Sequence, residues 1–84
     1  MNSFVVTELQ TMADGASGGF IWTFSDLSKT EEENRADAEA KYHSVLAVAA
    51  KSNLPCHAAV LMRNDGAVLN KQAYTRKTET ETVM

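Results

Sequence analysis

The sequence predicts an α+β domain in which two strands, one long helix and two further strands follow one another. Three observations carry this prediction. Alternating residues with many β-branched side chains occur near the start, a capped alanine-rich segment occupies the middle, and an Asn-Asp-Gly turn separates two further strand-like segments. The β-β-α-β-β order predicts a four-stranded, mainly antiparallel sheet with the helix packed on one face.

The first strand is predicted over residues 3–12, SFVVTELQTM, where Phe4, Val6 and Glu8 share one face. The next segment, 13–19 (ADGASGG), contains three glycines and predicts a mobile turn. It superficially resembles a phosphate-binding loop, but it lacks the P-loop lysine and lies between two strands instead of before a helix. We therefore interpret it as a hairpin loop.

The second strand is predicted over residues 20–26, FIWTFSD. Its alternation places Phe20, Trp22 and Phe24 on one face. The simplest pairing with the first strand is an antiparallel hairpin with a long loop.

The helix start has the clearest local signal. Ser28 and Glu31 have the spacing of a capping box, in which the hydroxyl and the carboxylate each accept a backbone N–H. Residues 31–33 are all glutamates, which favour the positive end of the helix dipole. The alanine-rich segment continues the helix to about Lys51, and Asn53 before Leu-Pro is a stop signal.

A projection at about 100° per residue predicts which side of this helix packs on the sheet. The central apolar stripe contains Ala38, Tyr42, Val45, Leu46 and Ala49. One side of that stripe is widened by Ala36, Ala40, His43, Ala47 and Ala50. The solvent side is predicted to hold Asp37, Lys41, Ser44 and Lys51, with Val48 as a lone apolar residue among them.

The last two strands are predicted from an apolar and an alternating segment. Residues 56–63, CHAAVLMR, are apolar on both faces, which is typical of an interior strand or of one whose second face is covered. The turn at 64–66 leads to a more polar return strand at 67–76, nearer a sheet edge. We predict a single domain over 1–76 and a disordered tail over 77–84.

One helix covers only one face of a sheet. Either the face of Phe20, Trp22 and Phe24 or the second face of residues 56–63 is then bare, and bare apolar faces are usually covered by a partner. The sequence therefore predicts a homodimer.

Composition limits the possible partners and locations. A net charge of −3 and scattered basic residues argue against nucleic-acid binding, which depends on Lys and Arg that neutralise phosphates. No apolar run approaches the roughly 20 residues of a membrane span, and the start lacks the pattern of a signal peptide. A single cysteine cannot form an internal disulfide. We predict a cytoplasmic or virion-associated protein without a membrane or nucleic-acid partner.

Cys56 and His57 are the only adjacent residues that suggest covalent chemistry. Neighbours on a strand point to opposite faces, so their side chains cannot pair there. A dyad would need His43 to reach Cys56 from the helix, and no glycine near Cys56 could shape an oxyanion hole. We predict no catalytic residue and no enzymatic activity.

Metal and cofactor sites are also not predicted. Structural zinc sites need four ligands and catalytic sites three, whereas this chain has one cysteine and two histidines without the usual spacings.

The remaining histidines and aromatic residues form a candidate interface or structural cluster. His43 follows Tyr42 on the helix, where a histidine is more often a core or interface residue than a ligand. If His57 shares a sheet face with Tyr74 and lies under His43, these groups would pack together. The candidate cluster consists of Trp22, Tyr42, His43, His57 and Tyr74.

Three segments of the chain, EAKYHSVLAVAA, LPCHAAVLMRNDGAVL and the late AY, carry a family resemblance. They resemble small uncharacterised proteins of phages and prophages of Gram-positive (Firmicutes) gut bacteria. The matching residues are Lys41, Tyr42, His43, Pro55, His57, Asp65, Gly66 and Tyr74. The resemblance covers about half of the chain and excludes the first 25 residues.

The resemblance implies a phage context and brings no known activity. Together with the predicted bare face, it leads us to expect a non-enzymatic phage or prophage accessory or structural protein that acts through protein–protein contacts as a homodimer. The alternative is a small regulatory protein that binds and inhibits a host protein.

Overall fold

The computed structural model of this 84-residue chain describes residues 2–76 and confirms the β-β-α-β-β order and the α+β prediction. The elements are β1 (Phe4–Thr11), β2 (Ser17–Phe24), α1 (Glu31–Lys51), β3 (Cys56–Arg63) and β4 (Val68–Thr75). The predicted tail at 77–84 lies outside the described residues.

The four strands form one sheet in the order β2-β1-β3-β4, and every neighbouring pair is antiparallel. Val6, in the middle of β1, lies opposite Trp22 on one side and Leu61 on the other. The two hairpins are therefore joined through their first strands, β1 and β3, and within residues 2–76 β2 and β4 form the edges.

Both hairpins use the same short turn. The N–H of Met12 donates to the carbonyl of Ala16 and the N–H of Gly15 donates back to Met12, and Arg63, Gly66 and Ala67 repeat this arrangement. Gly15 and Gly66 have φ angles of 89° and 90°, in the left-handed region that glycine adopts without a steric penalty.

The first turn is consequently shorter than the sequence predicted. β2 begins at Ser17 instead of Phe20, because pairing with β1 extends through Gly18 and Gly19. A Cβ atom on Gly19 would lie 2.1 Å from the carbonyl oxygen of Glu8, so only glycine fits there.

The helix begins two residues later than predicted. Thr30 is the N-cap and forms the capping box with Glu33, whose N–H donates to the Thr30 hydroxyl while its carboxylate accepts the Thr30 N–H. Ser28 has another role, since its hydroxyl and N–H both donate to Asp26. These hydrogen bonds hold the pKa of Asp26 below its usual value, the hydroxyl having the larger effect.

Asn34 ties the start of the helix to the end of β2. Its side chain is 1% exposed, accepts the N–H of Asp26 and donates to the carbonyls of Asp26 and Thr30. One amide thereby satisfies three backbone groups at the point where the chain turns from sheet to helix.

The helix ends at Lys51, as predicted, and its last carbonyls receive a cap from another element. The guanidinium of Arg76, just beyond β4, donates to the carbonyls of Ala49 and Ala50, each at 2.9 Å. The backbone N–H of Arg76 also donates to the carbonyl of Pro55.

The core lies between α1 and one face of the sheet. Its buried apolar residues are Phe4, Val6, Ala38, Tyr42, Val45, Ala59 and Leu61, with Trp22, Phe24, Leu46 and Leu69 packed around them. The predicted central stripe of the helix is confirmed, but its predicted widening is wrong. The exposed residues of that flank are Ala36, Ala40, His43, Ala47 and Ala50.

Candidate interaction surface

The face of the sheet beneath the helix contains a buried acid–imidazole pair. Nε2 of His57, on β3, lies 2.5 Å from Oε2 of Glu8, on β1, and Nε2 of Gln10 donates to the same oxygen at 3.2 Å. His57 is 2% exposed and Glu8 8%. Buried ionisable groups are tolerated when they are paired and hydrogen-bonded in this way.

The last turns of the helix lie next to this pair. Nδ1 of His57 has no hydrogen-bond partner among residues 2–76, and the ring lies under the C-terminal part of the helix beside Ala47, Val48 and Ser52. Cys56 lies on the opposite face, in line with Thr11 and Thr75. The thiol and the imidazole are therefore separated by the sheet itself, as alternation along a strand requires.

The structure brings together only part of the predicted cluster. His57 lies directly opposite Tyr74 in the β3–β4 pair, and Tyr42 is buried in the core. Burial raises the pKa of the Tyr42 phenol above its ordinary value of 10, and the negative charge of an ionised Tyr74 adds to the effect.

His43 and Trp22 are less buried than His57 and Tyr42. His43 is exposed and its ring lies at a centroid distance of 5.4 Å from that of Tyr42, so it is not a core residue, and its role at an interface stays a prediction. Trp22 lies on the helix-covered face of the sheet, on the edge strand β2, where it packs against the core. There it stacks on Phe20 and receives the ammonium of Lys41 at 4.1 Å from its ring centroid.

No helix or second sheet of residues 2–76 packs on the other face of the sheet, and this face is almost uncharged. By strand register it presents Val5, Thr7, Leu9, Thr11, Ser17, Gly19, Ile21, Thr23, Cys56, Ala58, Val60, Met62, Val68, Lys71, Ala73 and Thr75. Of the sheet positions that the structure describes on this side, only Lys71 carries a charge. We call these residues the open face.

Large apolar side chains on the open face are in contact with solvent. Ile21 is 69% exposed, Val68 52% and Leu9 48%, while Val60 and Met62 near the middle are half-buried by their neighbours. Large exposed apolar patches on protein surfaces are found at contacts with other proteins, with membranes or with ligands. The sequence left two candidates for the bare face, and the structure identifies the second face of β3 as the bare one.

No group of three or more His, Cys, Asp or Glu side chains that could hold a metal ion occurs within residues 2–76. Among residues 2–76, no helix is both long enough and apolar enough to cross a membrane.

Comparison with protein-family models, with curated proteins and with solved structures finds no match to this chain. The resemblance to phage proteins therefore stays a prediction.

Sequence reasoning missed the Glu8–His57 pair, although one signal was present. Glu8 was predicted to share a face with Phe4 and Val6, and a carboxylate on an inward face needs a partner. The partner is a diagonal neighbour across the β1–β3 pair, which becomes visible only once the strand order and register are known.

Proposed function

We propose that this protein is non-enzymatic and acts through protein–protein contact as a homodimer that forms through the open face. The single observation that carries the proposal is the exposure of Leu9, Ile21 and Val68 on a sheet face with one charged residue. Loss of charged residues from the centre of a patch is what distinguishes an interface core from ordinary protein surface.

A second copy is a suitable partner because the open face is complementary to itself. In a twofold dimer the same patch contributes from both subunits, so a face rich in one charge would repel its own copy. The open face has only Lys71, on the edge strand β4, and its centre at Val60 and Met62 is apolar. Two such sheets pack about 10 Å apart when their side chains interdigitate.

The size of the open face also suits a dimer. It presents sixteen strand positions, and the turns beside it add a rim, whereas a standard interface has roughly 20–30 residues on each side. Stacking would remove several half-exposed aliphatic side chains from water at about 25 cal/mol for each Å² buried.

The proposal of a non-enzymatic role is supported by the position of the reactive groups. Cys56 belongs to the open face, whereas His57 is buried with Glu8 on the other side. A thiol needs a base within hydrogen-bond reach to act as an activated nucleophile.

The dimer is tested by sedimentation of the wild-type protein and two charge variants. Val60→Glu puts a carboxylate at the centre of the open face, and Val48→Glu does the same at an exposed apolar position on the helix. At the lowest concentration at which the wild type has the mass of two chains, we expect Val48→Glu to have the same mass and Val60→Glu to sediment as a monomer, with circular dichroism showing that all three are folded.

A wild-type protein that remains monomeric at high concentration would overturn the homodimer. The open face would then be available to a different protein, which is the regulatory alternative. The phage or prophage setting stays a prediction from the sequence resemblance.

A further inference from the structure

The two edges of the sheet differ in how they are protected against pairing with another strand. β4 carries Lys71, pairs with β3 through a register shift between Leu61 and Met62, and continues into Arg76, which is bound to the helix end. A charged residue and an irregular register are the usual devices that keep an edge strand from pairing.

β2 has none of these devices. It is eight residues long, SGGFIWTF, pairs regularly with β1 along its whole length, and contains neither a charge nor a proline. Strands average only about 5–6 residues, and a long, flat, uncharged edge is the kind that natural proteins avoid unless a strand pairs with it. Nearly all of β2 is exposed, including Phe20 at 56%.

We propose that β2 pairs with β2 of a second copy, antiparallel and centred on Ile21, to form a continuous eight-stranded sheet. The chemistry is that of strand addition, in which unpaired backbone N–H and C=O groups of the edge bind those of the incoming strand.

Geometry restricts the register of this pairing. A twofold axis perpendicular to the sheet keeps the helices of both copies on the same side, so residues that face each other must have the same side-chain direction. Centring on Ile21 places Phe20 opposite Trp22 of the second copy, and Trp22 opposite its Phe20. Aromatic pairs of this kind contribute about 0.5–1.5 kcal/mol beyond burial of their area. Centring on Phe20 instead would place Trp22 opposite Gly18, without an aromatic partner.

The absence of charge in β2 favours its own copy as the occupant. Antiparallel self-pairing places each residue of β2 opposite another residue of β2, so any charge near the centre would meet a like charge close by. No such repulsion arises from Ser17–Phe24. Phe20, which already stacks on Trp22 at 5.9 Å, would be covered by the second copy.

This contact goes beyond the open-face dimer and uses different residues. It predicts a second association step, in which the average mass rises above that of two chains as the protein is concentrated. Four chains form a closed assembly where the two twofold axes intersect at right angles.

The test compares one charge variant at each edge. Phe20→Lys puts an ammonium on β2 near the proposed axis, and Gln72→Lys puts one on β4 on the same sheet face. We expect sedimentation equilibrium to show the second step in the wild type and in Gln72→Lys but not in Phe20→Lys. Hydrogen exchange should show β2 amides slowing at least tenfold on concentration, with β4 amides unchanged.

The proposal is overturned if Phe20→Lys, shown to be folded, associates as the wild type does, or if β2 amides exchange at the same rate at low and high concentration. Comparison with Val60→Glu distinguishes failure of the edge contact from failure of the open-face dimer. If the edge contact exists without the open-face contact, Val60→Glu and the wild type both form dimers that Phe20→Lys lacks. If only the open-face contact exists, Phe20→Lys leaves the dimer intact.

Discussion

The two faces of the sheet differ in polarity in the opposite way to the usual one. Buried ionisable residues lie on the covered face, and exposed aliphatic residues lie on the open face. Beneath the helix are Glu8 and His57, both almost fully buried. On the open face, Leu9 and Ile21 are in water. The comparison teaches that polarity alone does not identify the outside of this domain.

The two faces differ because the polar residues on the covered face have hydrogen-bond partners within the fold. The carboxylate of Glu8 receives His57 and Gln10, and the amide of Asn34 satisfies three backbone groups, so these polar residues find inside the fold the hydrogen bonds that they lose with water. An exposed leucine has no comparable compensation until another protein surface covers it. The open face is therefore where the proposed dimer would bury apolar surface that a single chain leaves in water.

The largest expected effect comes from breaking the buried pair. His57→Ala leaves the Glu8 carboxylate buried without its main partner, which typically costs about 3–5 kcal/mol of unfolding free energy. Cys56→Ala, one residue away on the open face, is the matched control and should cost less than about 1 kcal/mol. Urea unfolding measures both, and equal losses would contradict the contrast between the faces.

The next effect concerns the junction between β2 and the helix. Asn34→Ala removes the acceptor of the Asp26 N–H and one donor to each of the Asp26 and Thr30 carbonyls, and we expect a loss of about 1–3 kcal/mol. Arg35→Ala removes an exposed side chain with one surface ion pair to Glu39 and should change stability by about 0.5 kcal/mol at most. Thermal unfolding of the two variants compares them, and a similar melting temperature would show that the Asn34 bonds contribute little.

Two neighbouring glycines give a sharper test of the β1–β2 pairing. Gly19→Ala forces a Cβ against the Glu8 carbonyl and should cost about 1–3 kcal/mol, as overpacking does. A Cβ on Gly18 meets nothing within 4 Å, so Gly18→Ala should be neutral or stabilise by up to about 1 kcal/mol. Chemical denaturation distinguishes them, and the opposite order would mean that β2 is paired in another register.

The smallest effect is expected on the open face itself. Leu9→Ala should cost a single chain no more than about 1 kcal/mol, whereas Leu61→Ala in the core should cost about 2–5 kcal/mol. Unfolding must be followed at a dilution where sedimentation shows monomers. A large loss for Leu9→Ala under those conditions would mean that this face is already covered within one chain.

Local patterns were sufficient for the order of the elements, the bounds of β3 and the central stripe of the helix. The alternation correctly grouped Phe4, Val6 and Glu8 on one face of β1, which the structure shows to be the inward face. The cap was misplaced because Ser28 and Thr30 are each followed three residues later by a glutamate, and the choice between them depends on Asn34 binding Asp26. Such a contact between elements has no local signature.

Two other errors have related causes. Gly18 and Gly19 have a poor propensity for strands, and only pairing with β1 makes them part of one. His43 was assigned to the packed side, but the helix contacts the sheet along a narrow line that includes Tyr42 and Val45, and neighbouring positions turn away from it. The Glu8–His57 pair required the register of two strands that are distant in the sequence.

The cap on the helix end also has a consequence for biosynthesis. Arg76 binds the carbonyls of residues that precede it by 27 and 26 positions, and it comes after the whole of β4. The ribosome therefore adds the last helix residue well before it adds Arg76, whose guanidinium caps the helix. The last turn of the helix and the last strand are completed together, so the nascent chain reaches its final form only after the second hairpin has left the exit tunnel.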